Sequence, residues 1–229
     1  MALATSKPSN REIARLFDEA AADYDRRSNP YTMRRRAEAL AAHVRGRSLE
    51  LGGGTAAVTA LLPDPSRALL SDISARMCRL AGAKVDCPRV CFDAEVIPLA
   101  DNSIDTAVSA EMIYYLDHPD RFVTEAHRVL RPGGKLVLST TNPTMAFLDR
   151  GRAVLRRLGF RRMFFDDGSP RFIPLPRVLG MLERAGFTVE LTRHIVILPF
   201  ASLDVLNRFL ERTALRRYGL FMVVVATKR

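Results

Sequence analysis

Between residues 48 and 141 short apolar runs alternate with helical patterns, and four of the five runs end beside glycine or an acidic residue. Ser48–Leu51 ends in glycines. Arg67–Ser71 ends at Asp72, Val90–Phe92 at Asp93, and Ile104–Ala110 near Glu111. Lys135–Thr140 follows the turn Arg131-Pro132-Gly133-Gly134. The spacing predicts helices over Ala56–Leu62, Ala75–Ala81 and from Pro119 to Leu130, with Pro119 opening the last of them. Strands alternating with helices imply a parallel sheet covered on both faces. Right-handed crossovers then place any ligand at the carboxyl ends of the strands.

The flanks fit around this unit. Ser9 with Glu12 reads as a capping box, followed by Ile13, Leu16, Phe17, Ala20 and Ala21 at helical spacing. Asn29-Pro30 separates this helix from a second one carrying Met33, Ala37, Leu40, Ala41 and Val44. After residue 142, Met145–Met163 reads as a basic and apolar helix, and Asp166–Pro170 as a turn. A helix over Leu175–Ala185 is ended by Gly186. Thr188–Ile197 is a strand, Leu203–Ala214 a helix and Leu220–Thr227 a last strand. The expected fold is α/β: a doubly wound, seven-stranded, mostly parallel, Rossmann-like sheet with N-terminal helices and a helical insert before the last two strands. One domain over 1–229 suffices: 1–46 as capping helices, 47–142 as the core that binds a cofactor, and 143–229 as the acceptor-side insert and last strands.

Composition narrows the class. The chain has 229 residues and 48% apolar residues, enough for one full core. It has no apolar run of the roughly 18 residues that a bilayer span needs. Met1–Asn10 lacks a secretory apolar core, so a cytoplasmic protein is expected. Cys78, Cys87 and Cys91 lack ligand spacing, so free thiols and no metal site are expected. The formal charge is +10 and mostly arginine, with clusters at Arg34–Arg36, Arg150–Arg162 and Arg216–Arg217. An acidic partner or a solvated surface both account for it. No G-x-S-x-G and no G-K-[ST] loop is present, which disfavours serine and NTP hydrolysis.

The strand ends carry the chemistry. In Glu50-Leu51-Gly52-Gly53-Gly54-Thr55-Ala56, the glycines Gly52, Gly53 and Gly54 let a ligand lie against bare main chain. Asp72 follows Gly54 by 18 residues, where a carboxylate can accept both hydroxyls of a ribose. A nucleoside-containing cofactor is therefore expected. Gly52-x-Gly54-x-x-Ala57 also fits a dinucleotide fingerprint. Glu50 would repel a pyrophosphate but can reach an ammonium group. Asp93 can accept from an adenine amino group. With the Leu130–Gly134 turn, these features favour S-adenosylmethionine.

Glu50–Ala56, Asp72-Ile73-Ser74, Asp93-Ala94-Glu95, Asp101–Asp105 and Leu130–Gly134 resemble the ordered motifs of class I S-adenosylmethionine-dependent methyltransferases. The subgroup resembled most contains the ubiquinone and menaquinone C-methyltransferases; Phe17-Asp18 … Tyr24-Asp25 is similar as well. The resemblance covers residues 11 to 142. Ala56 stands where the family often has a third glycine. The resemblance implies that Gly52–Gly54 pack against methionine and ribose, with Glu50 near the amino group. It implies that Asp72, with Ile73 beside it, holds the ribose, and that Asp93 and the Ala94 amide hold the adenine. Ser109–Glu111 would line the methionine side. S-adenosylmethionine is the expected cofactor and S-adenosylhomocysteine the product.

Methyl transfer from a sulfonium is an in-line displacement, so a base is needed only when the acceptor must lose a proton. Candidates for that base are Glu111, Tyr114, Tyr115 and His118. Tyr24 and Tyr31 can close over the donor, and Tyr115 and Phe147 belong to the acceptor side. The 144–173 segment offers an apolar wall with arginines. A small hydrophobic or aromatic acceptor (quinol-like, lipidic or a secondary metabolite) is the leading reading. An RNA substrate, such as tRNA, is the alternative, a nicotinamide oxidoreductase a weaker one. The arginines also suit a peripheral membrane contact. Nothing sets the oligomeric state.

Overall fold

A computed structural model describes residues 9–143 and 172–229. The predicted helix and turn between Met145 and Pro170, and with them Phe147, lie outside the described residues.

The strands are β1 (Ser48–Leu51), β2 (Ala68–Asp72), β3 (Arg89–Cys91), β4 (Ile104–Ala110), β5 (Leu130–Thr141), β6 (Phe187–Ile195) and β7 (Phe221–Lys228). They form one seven-stranded sheet of order β3-β2-β1-β4-β5-β7-β6. β1 to β5 pair in parallel, and β7 runs antiparallel between β5 and β6. The strand order reverses between β1 and β4, so a crevice opens above their carboxyl ends.

The helices are α1 (Asn10–Ala20), α2 (Tyr24–Arg27), α3 (Pro30–Ala41), α4 (Ala75–Gly82), α5 (Pro119–Val129), α6 (Leu175–Arg184) and α7 (Asp204–Leu210). The α1 capping box is present in full, with Ser9 and Glu12 exchanging hydrogen bonds. Asn29 caps α3 through the Thr32 amide at 3.1 Å, with Pro30 in the first turn. Gly186, at φ 93, takes the left-handed turn after α6.

Period-two alternation divides the core. Leu136 and Leu138 face the layer under α5 and α6, with Phe122, Val123, Met181 and Leu182. Val137 between them faces α3, with Leu40, Val108, Val223 and Val225. These strands are buried on both faces, which is why they read as continuous apolar runs.

Three expected elements differ. Ala56–Leu62 is a series of turns ending in a short 3-10 helix over Thr59–Leu61, not an α-helix. Gly52, Gly54 and Ala56 take positive φ of 65°, 53° and 66°, and alternating handedness stops a regular helix from starting. The predicted Leu203–Ala214 helix is confined to α7, with 3-10 turns before it and over Ala214–Tyr218. β5 begins at Leu130 and not at Lys135. Leu130 pairs with Ile104 and Lys135 with Thr106, so the glycine turn loops out within the strand.

Candidate functional site

The crevice is floored by the loop after β1. The Gly53 amide donates to Ser71 O at 2.8 Å, and the Gly54 amide to the Asp72 carboxylate at 2.8 Å. A Cβ built on Gly53 would sit 2.8 Å from Leu70 Cγ, so that residue is glycine for packing. Gly54 is different: a Cβ there meets nothing within 4 Å, and the loop faces open space.

Asp72 ends β2 and is buried. Its second oxygen accepts from the Ser74 amide at 2.8 Å. Burial pushes its carboxyl above the usual range, and the amides of Ser74 and Gly54 pull it back. The Ile73 amide adds a third donor, which leaves about one of the carboxylate's four acceptor sites for a ligand. Ile73 beside it is half-buried.

Glu50 lies beneath this loop, 2% exposed. Its carboxylate takes the Thr59 amide at 2.9 Å and the Thr59 hydroxyl. Burial raises it to about 7 against these hydrogen bonds. In this structure Glu50 therefore ties the strand to the 3-10 turn.

Asp93, after β3, accepts from the Glu95 amide at 2.9 Å and from the Asn10 side chain at 2.6 Å. Ala94 is buried next to it. Glu95, also buried, accepts from the His118 amide at 2.8 Å. That bond fixes the start of α5, and His118 itself is exposed there.

Glu111 follows β4 with φ 58°, a strained value for a side chain of this kind. Three hydroxyls hold its carboxylate: Ser139 at 3.1 Å, Thr141 at 2.5 Å and Tyr114 at 3.3 Å. Ser109 lies two residues earlier on the α5 side, and its buried hydroxyl has no hydrogen-bond partner among the described residues.

Aromatic rings cover this end. Phe17 packs edge-on against Tyr115 at 5.1 Å and against Tyr24 at 6.3 Å, and Tyr115 lies 4.7 Å from Tyr114. Burial raises the Tyr24 phenol against the pull of Arg36, and Asp72, Glu111 and Asp25 add to the rise. Tyr24 thus feels the carboxylates of both ends of the crevice. Tyr31 is placed otherwise. Its hydroxyl is engaged by Asp204 at 3.0 Å, Arg35 at 3.2 Å and Asn207 at 2.7 Å.

The groups that fasten the N-terminal helices are only faintly marked in the sequence. Asp18 accepts from the Ser74 hydroxyl at 2.5 Å and the Arg76 amide at 3.0 Å, at the start of α4. Asp25 accepts from the Thr55 hydroxyl at 2.7 Å and from Lys84. The signal for both was an aromatic residue followed by aspartate, at 17–18 and again at 24–25. Asn10 on Asp93 had no signal of its own.

This strand order, with an open glycine cradle and carboxylates at the ends of β2 and β3, defines a Rossmann-like domain of the methyltransferase type. Residues 49–138 match the family model for a methyltransferase domain. A malonyl-[acyl-carrier protein] O-methyltransferase of Methylococcus capsulatus is 35% identical, over 82% of this chain and 82% of that protein. A bifunctional biotin-biosynthesis protein of Saccharophagus degradans is 30% identical over 90% of this chain, which spans only 38% of its length. A crystal structure of a methyltransferase from Thermotoga maritima superposes with a TM-score of 0.70 at 22% identity, covering 95% of this chain and 100% of that one. The chain belongs to the class I S-adenosylmethionine-dependent methyltransferases. Its cofactor is S-adenosylmethionine, which the open space over Gly54 and the Asp72 carboxylate at the end of β2 fit. No helix among the described residues is long and apolar enough to cross a membrane.

Proposed function

We propose that this enzyme methylates a small hydrophobic or aromatic acceptor, quinol-like in its chemistry, seated beside Glu111 under the aromatic cluster. The bound sulfonium supplies a methyl carbon already activated for displacement. The chain's own residues do the rest. Gly52–Gly54, Asp72 with Ile73, and Asp93 with Ala94 bind and orient the nucleoside. Phe17, Tyr24 and Tyr115 exclude water, and Tyr115 faces the acceptor. Glu111, positioned by Ser139, Thr141 and Tyr114, takes the proton that a hydroxyl or ring-carbon acceptor must lose.

The observation that carries this reading is the strained Glu111 backbone with three hydroxyls aimed at one carboxylate. A protein stores strain where a group must be held in place. Glu111 is a better-placed base than His118, which is exposed at the start of α5.

The Methylococcus relative's name favours a second reading, a malonyl carboxylate held on an acyl-carrier protein. The charge of +10 suits an acidic macromolecule, whether a protein or RNA. Glu111 speaks against it, because a carboxylate acceptor has no proton to lose and would be repelled. Transfer of labelled methyl to a panel of quinols, a malonyl thioester and tRNA decides between them. Under the proposal the quinols are labelled, and Glu111→Gln lowers kcat by about 100-fold with S-adenosylhomocysteine affinity unchanged. Labelling of the thioester or tRNA alone, or a Glu111→Gln variant of full activity, would overturn it.

A further inference from the structure

The segment between β6 and β7 folds with its polar side inward. Asp204 accepts from Arg35 at 2.5 Å and from Arg208 at 2.7 Å. The Glu211 side chain is fully buried, paired with Arg35 at 2.9 Å and Arg193 at 3.1 Å. Asn207, also fully buried, takes the amides of Ile197 and Leu198 at 3.0 and 2.8 Å. These residues are three or four apart and define the inner face of α7.

The outer face is what remains. Val205 is 84% exposed, Phe209 64% and Phe200 47%. Exposed Arg212, Arg216 and Arg217 follow in the same segment, Arg217 stacked over the Tyr218 ring at 4.8 Å. Asp204 and Glu211 are the only carboxylates between residues 200 and 219; Glu211 is buried against Arg35 and Arg193, and half-buried Asp204 is paired with Arg35 and Arg208. The segment therefore exposes apolar side chains and guanidinium groups, while its two carboxylates are both held in ion pairs.

We infer that this face docks on an anionic phospholipid surface. Phe200, Val205 and Phe209 enter the boundary between headgroups and acyl chains, and Arg212, Arg216 and Arg217 pair with phosphates. A protein partner would also accept apolar and arginine side chains. The lipid is favoured because Val205 and Phe209 stand exposed on a short helix with exposed Phe200 just before it, and because none of Arg212, Arg216 and Arg217 is ion-paired among the described residues, so no carboxylate there sets a register.

The location gives the contact a use. β6 ends and β7 begins at the same edge of the sheet as the crevice. Thr141, which holds Glu111, is followed by Asn142, and the Asn142 side chain donates to Arg217 O at 3.0 Å and Gly219 O at 2.8 Å. Docking would bring the acceptor side of the crevice to the lipid surface. That purpose rests on the proposed hydrophobic acceptor, whereas the docking itself does not.

Co-sedimentation of the full chain with vesicles tests the inference. One set is pure phosphatidylcholine and the other contains phosphatidylglycerol. Binding is expected to be at least about ten-fold stronger on the anionic set. Val205→Ser with Phe209→Ser should lower it about ten-fold or more. Arg212→Ser, Arg216→Ser and Arg217→Ser together should lower it about 100-fold, at about five-fold each. S-adenosylhomocysteine titration of every variant should match wild type and so report an intact fold. Equal binding to both sets, no binding, or binding untouched by the apolar pair would overturn the inference. So would tighter binding to soluble polyglutamate than to anionic vesicles. Vesicle binding with no quinol methylation would leave the docking standing and overturn only the proposed acceptor.

Discussion

Replacing Gly54 with alanine adds a methyl group that no protein atom within 4 Å opposes. The cost to the fold comes only from the backbone, since φ is 53° and a left-handed L-residue pays about 1–2 kcal/mol. For a chain of this size that lowers Tm by about 2–8 °C. The cost to the cofactor is separate. The methyl group enters the space proposed for S-adenosylmethionine, and overpacking of one methyl costs about 1–3 kcal/mol, or about 5- to 150-fold in Kd. Gly53→Ala should behave in the opposite way. Its Cβ would lie 2.8 Å from Leu70 Cγ and 3.2 Å from Glu50 Cδ, so it strikes the core first. Thermal melts and calorimetric titration with S-adenosylhomocysteine separate the two effects. A Gly54→Ala variant that binds within about two-fold of wild type would refute the assignment of that space to the cofactor.

Three further outcomes follow from the same geometry. Glu50 has its carboxyl raised from 4.5 to about 7, so the native state holds a proton that the unfolded chain has released between those pH values. Stability therefore falls as pH rises through that window and levels off above it, by up to roughly 3 kcal/mol. Glu50→Gln should flatten the slope in urea midpoints taken from pH 4 to 8, leaving the smaller part that buried Asp72 contributes, and an unchanged slope would exclude Glu50 as its source. Asp25→Ala releases the Thr55 hydroxyl, bonded at 2.7 Å, and should weaken S-adenosylhomocysteine binding about five-fold with little change in Tm. Glu211→Ala takes one of two carboxylates from Arg35, which is 8% exposed and keeps Asp204, and leaves the buried Val196 amide without its acceptor, so it should cost about 1–3 kcal/mol in equilibrium denaturation; a loss below about 0.5 kcal/mol would mean that water replaces the carboxylate.

The strand ends were legible because their chemistry is local. A glycine loop, an aspartate ending β2 and another just after β3 each advertise themselves within a few residues. The Ser9 capping box and Gly186 were legible for the same reason. The turn after β1 departs from the expected helix because helix propensity favours Ala56 and Ala57, whereas Glu50, nine residues before Thr59, takes the amide and hydroxyl of Thr59. That bond depends on burial, which a local window does not register. The position of Tyr31 in the second helix suggests a lid residue. Its hydroxyl instead meets Asp204 and Asn207, more than 170 residues away. The inverted face of α7 was hidden because its partner, Arg35, lies equally far along the chain.

The fastening of α1 and α2 has a kinetic consequence. Asn10 is bound to Asp93 at 2.6 Å, Asp18 to Ser74 at 2.5 Å and Asp25 to Thr55 at 2.7 Å, so every one of these tethers ends on a loop at the carboxyl end of the sheet. With the nucleoside in the crevice as proposed, release past these helices breaks the tethers together, because the helices are joined to each other through Phe17 and Tyr24. Under that proposal turnover is paced by how often two helices lift together, and a solvent made more viscous should slow it even when every reacting atom is in place.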